Sequence, residues 1–263
     1  QILSSNLVSN GDFSQEGAEQ VTAFTNGTTY PFSTFTSLDN NITSAIINSN
    51  FAGCVSNSIS VTSSQTYKVS FNYTKNSGDN LRVVFSSSVS GAGSQTSNSE
   101  LVSTSGSITL YLTISSSGTS YLQLGTSSGS ASIDFSITNI SVKEVGQDWT
   151  LGTGWSIGEN KALYNGVSEP YLYSLSPVNI AVSDKLKITF VLDSNAKLRF
   201  VNENGSRFSG TWVSYASGTH EVYLTSSIVA TQIGIQADTD NGAFGITNIS
   251  VIEITDDTNL PRI

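Results

Sequence analysis

One eight-residue segment of this chain occurs twice, and that repetition limits the folds open to it more than any other feature. Ile137-Thr138-Asn139-Ile140-Ser141-Val142-Lys143-Glu144 returns as Ile246-Thr247-Asn248-Ile249-Ser250-Val251-Ile252-Glu253, with a single difference at Lys143. Upstream, Tyr111-Leu112-Thr113 corresponds to Tyr223-Leu224-Thr225 and Leu81-Arg82-Val83 to Leu198-Arg199-Phe200. Tyr67-Lys68-Val69-Ser70-Phe71 shares the hydrophobic pattern of Leu186-Lys187-Ile188-Thr189-Phe190. The order is kept while the spacing drifts, as it does when strands hold their register and loops change length. A chain of 263 residues has room for two cores. Two homologous modules are therefore expected, at 1–145 and 146–255, with 256–263 as a linker leading onward.

Within each module the apolar side chains alternate. Tyr67, Val69 and Phe71 fall on one face and Lys68, Ser70 and Asn72 on the other, the period of a half-buried strand. Ile108, Leu110 and Leu112, Val222 with Leu224, and Ile233 with Ile235 continue it. Clusters such as Asn76-Ser77-Gly78-Asp79-Asn80 and Asp238-Thr239-Asp240-Asn241-Gly242 supply turn chemistry between these runs. No dozen residues follow a helical period. The pattern predicts an all-β protein of two tandem antiparallel β-sandwiches, jelly rolls, with Ile140, Val142, Ile249 and Val251 pointing inward.

Composition narrows the function. Charged residues are only 12% of the chain, and 11 basic against 20 acidic side chains leave a formal charge of −9, which repels nucleic acid. The single cysteine, Cys54, rules out an intrachain disulfide and a cysteine-based metal site. The apolar runs are too short for membrane insertion through a helix. Gln1 follows no secretion signal and is not expected to be the translational start.

Catalytic chemistry is thin. His220 is the only histidine, with no Gly-x-Ser-x-Gly turn to serve, and reads as the start of the Val222–Leu224 strand. Cys54 has no histidine partner in its module and reads as a small buried hydrophobe. The close carboxylate pairs, Asp238 with Asp240 and Asp256 with Asp257, lie in turn-like or terminal segments, so a glycosidase pair is not expected and neither is an enzyme. Sugar binding asks for exposed aromatic faces flanked by amides and hydroxyls. Trp212 and Tyr215, in the segment 210–218, and Tyr171 with Tyr173, after Pro170, are the candidates. Trp149 and Trp155, at the start of the second module, are assigned to its core. The first module has no equivalent aromatic set, so a sugar site shared by both copies is not expected. Asn-x-Ser/Thr sequons at Asn26, Asn41, Asn72, Asn139, Asn204 and Asn248 carry little weight in so Asn- and Thr-rich a chain, and those in the closing strands are expected to be unmodified.

The opening Asn6-Leu7-Val8-Ser9-Asn10-Gly11-Asp12-Phe13, the strand Thr66–Phe71 and the closing Ile140-Ser141-Val142 resemble the carbohydrate-binding-module type of jelly roll. Asp148-Trp149-Thr150-Leu151-Gly152-Thr153-Gly154-Trp155-Ser156-Ile157 is similar to module openings in phage and prophage fibre proteins, and Thr258-Asn259-Leu260-Pro261-Arg262-Ile263 to the junction that leads there into a lectin-like domain. The resemblance implies a non-enzymatic component of a phage virion, a tail or head fibre. Its partners would be itself, neighbouring virion proteins or cell-surface glycans, and its location the virion or the extracellular space. The alternative is a carbohydrate-binding region of a secreted bacterial glycosidase or adhesin. No cofactor is expected beyond a structural calcium of the kind such jelly rolls carry, with Asp12 and Asn139 as ligands. Asn139 and its counterpart Asn248 stand where the family usually has an acidic residue, and bring a carbonyl oxygen without charge.

Overall fold

The computed structural model describes residues 2–38, 41–49, 52–89, 94–127, 131–167, 171–208 and 210–256. Every named strand pairing among them is antiparallel and no helix occurs, so the chain is an all-β protein of β-sandwiches. It divides into two compact units, residues 16–145 and residues 1–15 together with 146–263.

The first sandwich stacks two sheets. One runs Gly106–Thr113, Thr66–Gly78, Ala131–Val145, Asn41–Ser49, Thr34–Leu38, with Glu16–Glu19 added beside Ala131–Val145. The other runs Gln95–Val102, Leu81–Ser86, Gly118–Gly125, Gly53–Ser56, Phe24–Asn26, with Ile59–Val61 beside Gly118–Gly125. The second sandwich repeats this order. Its first sheet is Gly218–Thr225, Lys185–Leu192, Phe244–Asp256, Lys161–Tyr164, Trp155–Gly158, with Ile2–Leu3 beside Phe244–Asp256, and its second is Val213–Tyr215, Ala196–Val201, Gly234–Ala237, Tyr171–Ser174, Trp149–Leu151. The repeated segments thus occupy equivalent strands. Between the sheets of the first sandwich pack Val69, Phe71, Val83, Phe85, Phe135 and Val142, all essentially inaccessible, and in the second Leu186, Ile188, Phe190, Leu198, Ile235, Ile246 and Val251 do the same. Ile140 and Ile249 also point inward, each 3% exposed.

The repeat itself encodes a β-bulge. Thr138 and Ser141 pair with Asn72 and Ser70, so Asn139 and Ile140 together oppose the single residue Phe71. In the second sandwich Asn248 and Ile249 oppose Phe190 in the same way. Asn139 and Asn248 sit at φ 55° and 53°, left-handed values that a short polar side chain tolerates and a β-branched one does not. The left-handed backbone accounts for a short polar residue at both positions.

Beyond the bulge, each closing strand has its outer edge covered by a preceding segment. In the first sandwich Gln20 N–H donates to the Val142 carbonyl at 2.9 Å and Val142 N–H to Glu19 Oε1 at 2.7 Å, while Glu16 bridges Lys68 and Lys143, which hold its carboxyl below the usual range. In the second, Leu7 N–H donates to the Val251 carbonyl at 2.7 Å and Val251 N–H to Asn6 Oδ1 at 2.9 Å. The covering segment there comes from residues 2–13. Residues 1–15 thus group with the second module, not with the first as the 1–145 boundary had it; the closing strand reaches Asp256, and 257–263 lie outside the described residues.

Ile249→Asp buries an unpaired carboxylate in this core and is expected to cost about 3 kcal/mol or more, read as the shift in a denaturant midpoint. Asn248→Val, forced into a left-handed backbone, should cost about 1–2 kcal/mol, whereas Asn248→Gly should stay within about 0.5 kcal/mol of the parent.

Candidate functional site

The sheet of the second sandwich that carries Ala196–Val201 has one face in the core and one outside it, and its register decides which side chains share the outer face. Gln236 lies opposite both Tyr171 and Arg199, and Gly234 opposite both Tyr173 and Val201. Leu172, between the two tyrosines, and Ser174 after them face inward, so Tyr171 and Tyr173 project side by side. Their rings stack at 5.4 Å with 12° between planes. Tyr173 lies flat across Gly234, where a Cβ would fall 2.4 Å from the ring, so glycine is required by the approach. Burial, with Tyr171 and Glu203 adding to it, pushes the Tyr173 phenol up to about 12.

Beside them the sheet holds a polar pair that is almost wholly desolvated. Gln236 has no exposed surface and Arg199 is 9% exposed; Arg199 Nε donates to Gln236 Oε1 at 2.6 Å. Trp212 caps the pair, its ring centred 4.0 Å from the Arg199 guanidinium carbon. A guanidinium under an indole face gains cation–π attraction where water is excluded, and it fixes the plane of the ring. Trp212 is half-buried, held rather than waving in solvent. One step along the strands, Lys197 pairs with Ser214 in register and its ammonium binds Asp238 at 2.7 Å. That bond raises Lys197 and lowers Asp238 from their ordinary ranges. There the sheet opens into a groove of about 460 Å³ lined by Asn195, Lys197, Ser214, Tyr215, Asp240 and Asn241 among others.

Trp212, Tyr171 and Tyr173 are thus brought to one sheet face. Tyr215 is not with them. It pairs with inward-facing Ala196, and its ring meets Phe190 edge-on at 5.2 Å and His220 at 5.0 Å, on the core side of the strand, although it also lines the groove. His220 has its Nε2 2.7 Å from the Ala216 carbonyl and packs on Phe190. Cys54 is fully buried, which pushes its thiol up. Trp149 and Trp155 are 5% and 6% exposed and pack on Phe13, and on Tyr164 and Phe244, respectively. Asp238 is committed to Lys197 and to the N–H of Asp240, a turn. Asp12 bonds its own Ser14, and its carbonyl accepts Thr247 Oγ1; it belongs to the unit of Asn248, whereas Asn139 belongs to the other, so neither unit assembles the Asp12–Asn139 pair. Among the described residues no three His, Cys, Asp or Glu side chains cluster for a metal.

Arg199 and Gln236 are not among the residues that the sequence singles out. The signal was an arginine inside the otherwise apolar run Leu198–Val201, a residue that is rarely buried without a purpose. The first sandwich has the related Arg82, whose Nη2 donates to Gln123 Oε1 at 3.2 Å, but no tryptophan to cover it.

No family model matches the chain, and no curated protein does. Among solved structures, the N-terminal tandem of two CBM22 modules from Paenibacillus barcinonensis Xyn10C is similar at 11% identity over 92% of this chain and 99% of that one, with a TM-score of 0.33. A putative secreted protein from Parabacteroides distasonis is similar at 8% identity over 92% and 100%, with a TM-score of 0.20. Likenesses this distant carry no argument about function.

Between about pH 10, where phenols of the unfolded chain ionise, and about 12, where the buried Tyr173 does, the folded state keeps a proton that the unfolded state has lost. Stability must fall as pH rises through that window. Thermal unfolding of Tyr173→Phe across it should show a shallower fall than the parent.

Proposed function

We propose that this chain is a non-catalytic carbohydrate-binding protein and that its binding surface is the outer face of the second sandwich around Trp212. The carrying observation is the Trp212 ring fixed at 4.0 Å over the desolvated Arg199–Gln236 pair, beside a polar groove. A pyranose ring has an apolar face that stacks on an indole, and hydroxyls around its rim that need partners. Trp212 supplies the first. Lys197, Ser214, Asp240 and Asn241 line the groove that would receive the neighbouring sugar. Trp212 immediately precedes the strand Val213–Tyr215 that carries Ser214, so stacking and hydroxyl contacts would fall on neighbouring parts of one glycan. Because Arg199 holds the ring in place beforehand, little ordering is left to offset on binding.

Tyr171 and Tyr173 extend the same face, and Tyr215 serves the wall of the groove and not a stacking platform. The glycan would be met outside the cell, as in the carbohydrate-binding alternative. A phage-fibre origin has no support in the comparisons. A single shallow site of this kind binds weakly, and useful adhesion then depends on several copies acting at once.

The test is affinity electrophoresis of the purified chain against a panel of polysaccharides, followed by a glycan array. Trp212→Ala should weaken binding about tenfold or more while leaving the unfolding midpoint near the parent's, and Tyr223→Phe, on the other sheet, should leave binding unchanged. Mobility unaffected by every polysaccharide, or binding indifferent to Trp212→Ala, would refute the proposal.

A further inference from the structure

The second sandwich is completed by a segment that the chain makes before a whole other folding unit. Residues 2–13 run antiparallel along the outer edge of Phe244–Asp256, with Leu3 opposite Ile254, and Ser4 N–H donates to the Glu253 carbonyl at 2.9 Å. Glu253 N–H returns a bond to Ser4 Oγ at 2.9 Å, and Ile249 N–H donates to the Gly11 carbonyl at 2.9 Å. Gly11 has no room for a side chain, since a Cβ would fall 1.9 Å from the Ile249 oxygen. Two anchors sink below the edge, Val8 at 4% and Phe13 at 1% exposed, and Phe13 packs on Trp149, whose indole N–H donates to the Asn10 carbonyl at 3.0 Å.

The seat for this segment lies in residues 146–256, and the segment is tethered to the first sandwich through the exposed pair Ser14-Gln15. In the first sandwich the covering segment Glu16–Val21 is continuous with its own unit. In the second it is not, so nothing in its hydrogen bonds or anchors distinguishes a segment of the same chain from that of another. Removing it would leave the edge from Ile249 to Asp256 with unmatched N–H and C=O groups and two empty apolar sockets, the condition under which sheet edges recruit a strand.

We infer that residues 2–13 form an exchangeable clasp and that the edge Ile249–Asp256 accepts the clasp of a second copy of this chain, linking copies through contacts identical to those within one. The closed and exchanged forms then differ only in effective concentration, so exchange rises with protein concentration. Linked copies would present several Trp212 faces together, although the clasp does not depend on what those faces bind.

The experiment uses the chain of 263 residues with both sandwiches present. Cys54 is buried and does not interfere. Leu3→Cys and Ile254→Cys are placed together in one chain, and separately in two chains that are mixed at high concentration and then diluted and oxidised. The double variant should close a disulfide within itself, which confirms the clasp, and the mixed single variants should yield a disulfide-linked heterodimer. Adding Phe13→Asp to the Leu3→Cys chain should reduce the heterodimer about tenfold or more. A double variant that closes alongside single variants that never cross-link would overturn exchange. A double variant that fails to close would overturn the clasp itself, and a heterodimer indifferent to Phe13→Asp would reduce the linkage to random collision.

Discussion

Both sandwiches depend on a single left-handed asparagine in the closing strand. Ahead of Asn248 that strand pairs on its outer edge with Lys161–Tyr164, and beyond it with residues 2–7, while its inner edge stays on Lys185–Leu192 throughout. Asn139 divides Ala131–Val145 in the same manner between Asn41–Ser49 and Glu16–Glu19. One edge can serve two different partners only if the strand is re-aimed between them, and inserting one extra residue does that by bending the strand and sharpening its twist. Ile140 and Ile249, next to the asparagines, remain in the core because the bulge restores the inward phase one residue later. This gives a physical reason for the survival of Ile-Thr-Asn-Ile-Ser-Val in both copies where most other positions have diverged.

The architecture was legible because period-two alternation and a duplicated strand are both local signals. Tyr67, Val69 and Phe71 must share a face in any strand, and the repeat by itself puts the two closing strands in equivalent positions. Ownership of residues 1–15 was not legible. Asn6-Leu7-Val8 precedes the first sandwich in sequence, and only the three-dimensional register shows its bonds going to Val251. Glu16–Val21, which serves the first sandwich, shares with it only a buried valine, Val21 matching Val8, while Glu19 and Asn6 do the same work with different side chains. The candidate site was half legible. Four aromatic residues were visible as exposed-face candidates, but a step of one residue separates Trp212 and Ser214 from Val213 and Tyr215, and which of the two pairs faces the core depends on the register with Ala196 and Lys197.

Arg199 is an expensive residue to bury. Stripping water from a guanidinium costs several kcal/mol, which the groups bonded to it have to offset. What the arginine supplies and an apolar side chain lacks is a flat, cationic support for an indole, which strengthens as the dielectric falls and favours one orientation of the ring. Arg199 offers that support on the outer face of its sheet, where the Trp212 ring lies over it.

Folding order is set by the same connectivity. The bond between Glu253 and Ser4 joins residues 249 apart in sequence, a closure whose entropic cost grows with the length of free chain between the ends. That length is shortened once residues 16–145 have folded, because a compact unit replaces a long flexible loop. All the strand pairings of the first sandwich lie within its own continuous segment, so it can form without waiting for the second. The clasp, by contrast, has its seat only after Phe244–Asp256 has paired with Lys185–Leu192. Residues 2–13 therefore have no complete seat before that pairing exists. An element whose seat is complete only on a finished edge is one that a second copy could equally supply, which ties the exchange proposed above to the connectivity of a single chain.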